Sequence, residues 1–256
     1  MSKYQFYKFN EKTNKIERSG FMKLNASDDE RATLYFYGDI CSESWQSELF
    51  EEDKCPQDVI DFFSELDCNK PIDVFINSGG GYVSGGMAIY NILKRHKGEV
   101  VVYVDGLAAS IASVIAMAGD RIIVPVNSEL MIHKPWTISM GNAKELRKVA
   151  DSLDRSEEAI IEVYLSKAKP GITAEQLSEL LSNETWMTGR EAANYFNIEV
   201  KEISGVAACI SSEFYNKYTK VPEAVLDNIR TLSSYDQEDK SVELELLQLE
   251  LDRLCL

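Results

Sequence analysis

The sequence has few basic residues, only two histidines and five scattered cysteines. Lys and Arg number 27 against 42 Asp and Glu, so the net charge is −15 and the isoelectric point is about 4.7. Nucleic-acid binding needs a basic patch for the phosphates, so this balance argues against nucleic acid as a partner. The cysteines form no Cys-x-x-Cys pair. We therefore expect reduced thiols, with no disulfide framework and no metal site.

Long apolar runs and the common cofactor motifs are also missing. No stretch is long enough to span a bilayer, and the N-terminus lacks a charged and apolar leader, so we expect a soluble cytoplasmic protein without a membrane partner. The glycines at 79–81 are not followed by Gly-Lys-Ser/Thr and do not have Gly-x-Gly-x-x-Gly spacing, which argues against a nucleotide cofactor. The Gly-x-Ser-x-Gly signature of α/β-hydrolases is absent as well.

Strand-like and helix-like segments alternate with short connections from Thr33 onward. This alternation predicts an α/β fold with a parallel sheet built from βαβ units. Thr188-x-x-Glu191 is a capping box that predicts the start of a helix. The strands are expected at 33–38, 72–77, 100–104, 122–124 and 130–132, and the helices at 56–66, 86–97, 110–118, 142–169, 173–181 and 188–196.

The two ends of the chain differ in character from the α/β region. Alternation at 4–9 predicts a strand or hairpin, so residues 1–30 are interpreted as an N-terminal arm before a domain at 31–204. Residues 205–256 are interpreted as a polar linker and an acidic tail. Leucines at 244, 247, 251 and 254 allow an amphipathic helix there, which would need a partner surface, and a solvated, frayed tail is the alternative.

Ser110 lies where an apolar strand gives way to an Ala-rich helix. We expect the strand to end at Gly106 and the helix to begin near Ser110. The free N–H groups and the positive dipole end of a helix N-terminus favour a developing negative charge. Such a position suits a nucleophile beside an oxyanion hole, although a serine there also serves as an ordinary N-cap.

Two further segments carry candidate chemistry. His133 follows an apolar strand and begins a loop, where a histidine is accessible for proton transfer. His96 ends a basic helical turn and is expected to be a surface residue. Consecutive glycines at 79–81 allow backbone N–H groups to line a concavity, which fits an oxyanion donor or a substrate-docking edge better than a phosphate cradle.

Several motifs in one order resemble the ClpP family of serine peptidases, the proteolytic subunits of Clp protease. The resemblance covers residues 33–203 and implies a crotonase-like fold of stacked βαβ units with an outer handle helix at 142–169. Within the family, 37–45, 184–188 and the stretch from Gly141 into the long helix are similar to head maturation proteases of tailed phages. The motifs that carry the family resemblance are Tyr37–Ile40, Ile76–Gly80, Gly86–Tyr90, Gly106–Ser110 and His133–Trp136.

The resemblance implies a Ser-His-acid triad. It places the nucleophile on Ser110, the general base on His133 and the acid on Glu184, with Asn183 as an alternative residue to orient the imidazole. The oxyanion hole falls on the N–H groups of Gly80 and Ile111. Glu184 replaces the aspartate usual in the family, and Gly79 replaces a common proline, so the loop is expected to be less preorganised. No cofactor or metal is implied.

The resemblance also implies protein or peptide substrates and a homo-oligomeric ring of six or seven subunits, single or double. A phage role would place the enzyme in a bacterial host cytoplasm or a procapsid, where it trims scaffold and capsid proteins. Three alternatives remain: a Clp subunit that works with an ATPase, a catalytically inactive scaffold ring, and an acyl-CoA hydratase or isomerase on the same fold.

Overall fold

Seven strands form one sheet in which most neighbours are parallel. The computed structural model describes residues 3–10, 15–23, 31–42, 44, 54–202, 218 and 220–222. The strands are β3 (Ala32–Phe36), β4 (Ile72–Ser78), β5 (Val100–Ala109), β6 (Arg121–Pro125), β7 (Glu129–Ile132), β8 (Thr185–Thr188) and β9 (Glu199–Lys201). Five strands run in the order β3-β4-β5-β6-β9 and are parallel, while β7 pairs in parallel with β5 and antiparallel with β8. The predicted α/β class with a parallel sheet is therefore confirmed.

The predicted end of the central strand at Gly106 is wrong. β5 pairs with β6 at 101–103, and at 107–109 it pairs instead with β7. Gly106 is therefore the point at which β5 leaves one neighbour and joins another, and the strand continues to Ala109. This extension carries Ser110 to the end of β7.

Six helices with described bounds connect these strands. The predicted capping box at 188–191 is confirmed, since the Thr188 hydroxyl accepts from the Glu191 N–H. The predicted extension of that helix to Phe196 is wrong, because Phe196 leaves the helix to pair with Ala168 and to pack on Tyr164. The helices are α1 (Pro56–Ser64), α2 (Val83–Arg95), α3 (Ile111–Ala116), α4 (Ala143–Leu165), α5 (Ala174–Ser182) and α6 (Gly189–Ala192).

The two helices that matter most for the site are α3 and α4. All six residues of α3 are buried, so packing holds this short helix in place. In α4, every side chain from 143 to 159 is exposed or half-buried, whereas Ile160, Val163 and Tyr164 are buried. α4 thus joins the core only through its last turns, as expected of an outer handle helix.

Near the N-terminus, β1 (Lys3–Asn10) and β2 (Lys15–Lys23) pair as an antiparallel hairpin, which agrees with the strand or hairpin predicted there. The chain divides into a unit at 1–220 and a second at 221–256, and the acidic tail helix predicted at 236–256 lies outside the described residues. In the described ranges no helix is both long and apolar enough to cross a bilayer. Within those ranges Cys41, Cys55 and Cys68 are free thiols, and no cluster of side chains suits a metal ion.

Candidate active site

Ser110 occupies a tight turn between β5 and α3. Its φ of 53° and ψ of −126° are rare for a residue with a side chain. The turn is fixed from both sides, since the Ser110 N–H donates to the Met131 carbonyl at 2.8 Å and its own carbonyl accepts from the Ser113 hydroxyl at 2.6 Å. The Ser110 hydroxyl makes no cap hydrogen bond to α3. Ser110 is therefore the N-cap residue of α3 by position, but its side chain does not cap the helix, which leaves the hydroxyl for the contact with His133.

His133 lies one residue beyond β7, with its ring against Ser110. The Ser110 Oγ is 2.7 Å from His133 Nε2, a contact in which the hydroxyl donates when the imidazole proton is on Nδ1. Burial lowers the pKa of His133 below its ordinary value, and the nearby charge of Glu184 partly opposes this effect. The imidazole is thus held in the neutral form that accepts a proton.

Glu184 reaches His133 through the register of the β7–β8 pair. The last paired residues are Ile132 and Thr185, so the next step of the antiparallel ladder places His133 opposite Glu184. Glu184 has a φ of 48°, which ends the ladder. Its Oε1 accepts from the Lys220 N–H at 2.7 Å and from Trp186 Nε1 at 3.4 Å. The sheet therefore brings acid, base and hydroxyl together.

Asn183, the alternative residue for orienting the imidazole, ends α5 and is exposed. Its carbonyl accepts from the Lys220 ammonium. Glu184 is only half-exposed, and its charge acts on His133. Of the two residues, Glu184 is the one whose charge acts on the base.

The glycine loop passes directly beside Ser110. A Cβ on Gly80, whose φ is +102°, would be 2.7 Å from the Ser110 Cβ, so only glycine fits there. The Gly80 N–H donates to Ser78 Oγ at 3.1 Å, and the Gly79 carbonyl accepts from the Tyr218 hydroxyl. Ile111, the second expected oxyanion donor, is the first residue of α3, where an α-helix leaves its N–H without an intrahelical acceptor.

Three residues that contact Ser110, His133 or their supports were not foreseen from the sequence, in addition to Lys220 beside Glu184. Ser113 anchors the Ser110 carbonyl, and its hydroxyl lies 2.8 Å from that of Tyr164 on α4. The Ser-x-x-Ser spacing was a signal for the first of these contacts. Tyr218 packs edge-on against the His133 ring at 5.2 Å between centroids. No local pattern marks Tyr218, because it follows a polar, irregular stretch.

A cavity of about 720 Å³ opens beside Ser110 and His133. Its wall comes from the start of α2, the loop after His133 and the middle of α4. The polar lining includes the hydroxyls of Ser84, Ser152 and Ser156 and the guanidinium of Arg155. The apolar lining includes Val83, Met87, Pro135, Trp136, Ile138 and Leu153.

His96, the other histidine, is used structurally. It is the C-cap of α2, its Nε2 lies 2.7 Å from the Lys70 carbonyl, and its ring stacks on Phe63 at 4.8 Å. These contacts belong to the loops and helices that flank β4, and they agree with the expected role at a helix end.

Comparisons with known proteins agree with this architecture. Residues 52–200 match the sequence profile of a family described as Clp protease. The ATP-dependent Clp protease proteolytic subunit of Ligilactobacillus salivarius is 34% identical over 137 residues, which cover 52% of this chain and 68% of that protein. Proteolytic subunit 1 of Protochlamydia amoebophila is 33% identical over 134 residues, covering 50% and 64%.

A solved structure of a ClpP1 point mutant from Listeria monocytogenes superposes with a TM-score of 0.55 and 27% identity. The superposition covers 67% of this chain and 91% of that one. In sequence, the matches span roughly two thirds of the length of the relatives named above.

Proposed function

Because the chain belongs to the Clp protease family of serine-type peptidases, we propose that it is a serine endopeptidase with Ser110, His133 and Glu184 as its catalytic triad. The observation that carries the proposal is the 2.7 Å contact between Ser110 Oγ and His133 Nε2. The serine makes this contact from a strained turn, and its hydroxyl makes no cap hydrogen bond to the helix that follows. A hydroxyl held against a neutral imidazole is the nucleophile and base of acyl transfer.

The reaction proceeds in two acyl-transfer steps. Ser110 Oγ attacks the peptide carbonyl carbon while His133 Nε2 takes the hydroxyl proton. The C–N bond then breaks, and His133 returns the proton to the leaving amine. A water molecule attacks the acyl-enzyme with His133 again as base, which releases the carboxylic acid and restores the Ser110 hydroxyl.

Glu184 and the backbone donors stabilise the charges that form in these steps. The carboxylate of Glu184 lies across the sheet register from His133, where it favours the imidazolium. The tetrahedral oxyanion is assigned to the N–H groups of Gly80 and Ile111. In the described conformation the Gly80 N–H is directed at Ser78, so this donor must turn before it can serve.

The cavity beside Ser110 supports a preference for an apolar substrate side chain. Its wall combines Met87, Trp136 and Leu153 with serine hydroxyls, and a pocket lined in this way gains most from burying apolar surface. We assign this cavity to the side chain next to the scissile bond.

The test is labelling with a fluorophosphonate probe, together with hydrolysis of a peptide that carries leucine or methionine before the cleaved bond. Ser110→Ala is expected to abolish labelling and to lower hydrolysis by roughly 10⁴-fold or more. Glu184→Gln is expected to lower the rate of peptide hydrolysis by roughly 10²- to 10⁴-fold. Ser182→Ala, an exposed serine on α5, is the matched control and should label like wild type. Labelling that survives Ser110→Ala would disprove the assignment.

For the biological setting, we favour maturation of phage heads, in which the enzyme trims scaffold and capsid proteins inside a procapsid or the host cytoplasm. The support is the similarity of 37–45 and 184–188 to that branch, including glutamate at the acid position. Coexpression with the scaffold and capsid proteins of the same genome tests it. Defined cleavage products that disappear with Ser110→Ala are expected, and intact capsid proteins would count against this role.

A second setting, degradation together with an ATP-driven unfoldase, is supported by a row of aromatic side chains. Tyr35, Phe75 and Tyr103 are register partners across β3, β4 and β5, stack at 5.1 and 4.9 Å, and are all half-buried. Such a row offers a docking surface for an apolar loop of a partner. The relatives named as ATP-dependent Clp protease subunits fit this setting as well as they fit phage head maturation.

The two settings predict different responses to an unfoldase. In the second, a Clp ATPase with ATP should accelerate degradation of a folded fluorescent substrate, and Tyr35→Ser should remove the acceleration without changing peptide hydrolysis. Ile60→Ser, at an exposed apolar residue of α1, is the matched control. Absence of acceleration in wild type would exclude this setting. Proteins of the family form homo-oligomeric rings, and we propose a ring of six or seven copies here as well.

A further inference from the structure

Two residues beyond the sheet, Tyr218 and Lys220, contact the glycine loop and all three residues of the proposed triad. The Tyr218 hydroxyl donates to the Gly79 carbonyl, and its ring packs on His133 and, at 6.0 Å, on Trp186. The Lys220 N–H donates to Glu184 Oε1 at 2.7 Å. We call Tyr218 and Lys220 the latch.

The first consequence concerns the Gly79–Gly80 peptide. The peptide is trans, so its C=O and N–H point in opposite directions. Tyr218 holds the Gly79 carbonyl on the side of Ser110 and His133, and the Gly80 N–H is therefore turned away from the site toward Ser78 Oγ, 3.1 Å distant. One of the two oxyanion donors is thus directed away from the place where the oxyanion forms.

The second consequence concerns the proton of Ser110. The Tyr218 hydroxyl has a single proton, which it donates to Gly79, and it is also hydrogen-bonded to Ser110, where its oxygen is the acceptor. Ser110 consequently has two acceptors for its own proton, the Tyr218 oxygen and His133 Nε2. Burial raises the pKa of Tyr218 well above its ordinary range, so the phenol remains protonated at neutral pH.

The third consequence concerns the acid. Glu184 Oε1 accepts the Lys220 N–H, and the ammonium of Lys220 donates to the Asn183 carbonyl. A hydrogen bond to the charged form of a carboxylate disperses its charge. The latch therefore reduces the electrostatic stabilisation that the Glu184 carboxylate gives to a His133 imidazolium.

We propose that Tyr218 and Lys220 form an autoinhibitory latch that holds the site in a resting state with an unassembled oxyanion hole. This inference rests on the proposed peptidase function. Displacement of Tyr218 frees the Gly79 carbonyl, and the Gly79–Gly80 peptide then rotates to point the Gly80 N–H toward Ser110.

The loop is built for this single rotation. Glycine at both 79 and 80 permits the large backbone changes on either side of the peptide. The next peptide stays fixed, because the Ile40 N–H donates to the Gly80 carbonyl at 2.8 Å and the Tyr82 N–H donates to the Ile40 carbonyl at 2.8 Å. The rotation therefore changes the direction of the Gly80 N–H, which the oxyanion needs, and leaves the following peptide in place.

The experiment is the initial rate of fluorophosphonate labelling of the full chain, measured well below each variant's unfolding midpoint. Tyr218→Phe keeps the ring on His133 and removes the hydroxyl, so it is expected to label about 3- to 10-fold faster than wild type, the range that one or two net hydrogen bonds supply. Tyr218→Ala, which removes the ring as well, should label at least as fast as Tyr218→Phe. Tyr195→Phe, another half-buried tyrosine, is the matched control and should label at the wild-type rate.

A second pair of variants tests the contact with Glu184 without touching Tyr218. Lys220→Pro removes the N–H that Glu184 accepts, whereas Lys220→Ala keeps it and removes only the ammonium. Lys220→Pro should label several-fold faster than Lys220→Ala. Equal rates in the two variants would overturn the part of the latch assigned to Lys220.

The outcomes separate this inference from the proposed function. If Ser110 labels in wild type and Tyr218→Phe is no faster, the latch is overturned and the peptidase stands. If Tyr218→Phe is slower, Tyr218 is a positioning residue, which also overturns the latch. If neither wild type nor Tyr218→Ala labels, both proposals fail.

Discussion

The hydroxyl of Tyr164 lies 2.8 Å from the hydroxyl of Ser113, which in turn donates to the Ser110 carbonyl at 2.6 Å. Tyr164 is 1% exposed and Ser113 is fully buried, so water does not replace either partner. Through this pair the last turns of α4 support the turn that carries the proposed nucleophile. The outer helix is thus connected to the chemistry by two hydrogen bonds.

Tyr164→Phe is expected to lower kcat by about 3- to 10-fold and to leave KM within about twofold, because it loosens the Ser110 turn without altering the substrate cavity. It should also lower the free energy of unfolding by about 1 to 2 kcal/mol. Peptide hydrolysis and denaturant titration measure the two effects, with Tyr195→Phe as the control. An equal loss in Tyr195→Phe, or a change in KM alone, would contradict a positioning role for Tyr164.

Gly80→Ala is expected to lower hydrolysis by roughly 10²-fold or more, because its Cβ would approach the Ser110 Cβ to 2.7 Å and the donor peptide would be displaced. Gly171→Ala is the matched control. Gly171 has a similar φ of +95°, but a Cβ there would meet nothing within 4 Å. It should cost about 1 kcal/mol of stability from backbone strain and leave activity unchanged. Equal activity in the two variants would show that contact with Ser110 is irrelevant.

The pH dependence of kcat/KM is expected to follow His133, which must be neutral to accept the proton. Burial lowers its pKa, so the acid limb of the profile should lie below the ordinary value of 6.5. The charge of Glu184 raises that pKa, and Glu184→Gln should therefore move the acid limb to still lower pH while reducing the plateau.

The control for this shift is Glu179→Gln on α5, which also removes one carboxylate but at an exposed position. Its pH profile should coincide with that of wild type. An acid limb that moves to higher pH in Glu184→Gln, or that shifts equally in both variants, would show that Glu184 does not interact with the charged imidazole.

Glu129, at the start of β7, is expected to destabilise the fold at neutral pH. Among the described residues its Oε2 is the buried side-chain oxygen that lacks a hydrogen-bond partner, and burial together with the charge of Glu191 raises its pKa. A raised pKa in the folded state means that stability is lost as the pH rises above the ordinary value of 4.5. Glu129→Gln should thus raise the free energy of unfolding by about 1 kcal/mol at pH 8.

The gain from Glu129→Gln should shrink as the pH falls toward 4.5, because the wild-type carboxyl then becomes neutral as well. Denaturant titrations at several pH values measure this convergence. Glu158→Gln, at an exposed position of α4, is the control and should show no such trend. A difference that is independent of pH would point to packing and not to charge.

Much of the architecture could be predicted because it depends on neighbours in sequence. β-branched runs at 72–77 and 100–104 marked buried strands, and the Thr188–Glu191 capping box marked a helix start. Ser110 and His133 were recognisable because each follows an apolar strand, and the ends of parallel strands are where side chains meet.

What could not be predicted depends on partners distant in sequence. Gly106 looked like a strand end, yet β5 continues because β7 offers a second edge at 107–109. β8 is only four residues long and is a strand because it pairs with β7. Tyr218 is 108 positions after Ser110, as the two residue numbers show, and no local pattern links them.

The register of β5, β7 and β8 has a consequence for faulty molecules. Ser110, His133 and Glu184 each lie one residue outside the pairs Ala109–Met131 and Ile132–Thr185. A slip of one residue turns every side chain of a strand to the opposite face, so no intermediate arrangement keeps a weakened site. Register errors in this sheet should produce inactive subunits and not subunits of reduced activity. The specific activity of a preparation would then be proportional to its fraction of correctly paired molecules. The turnover number per active site would be the same in every preparation.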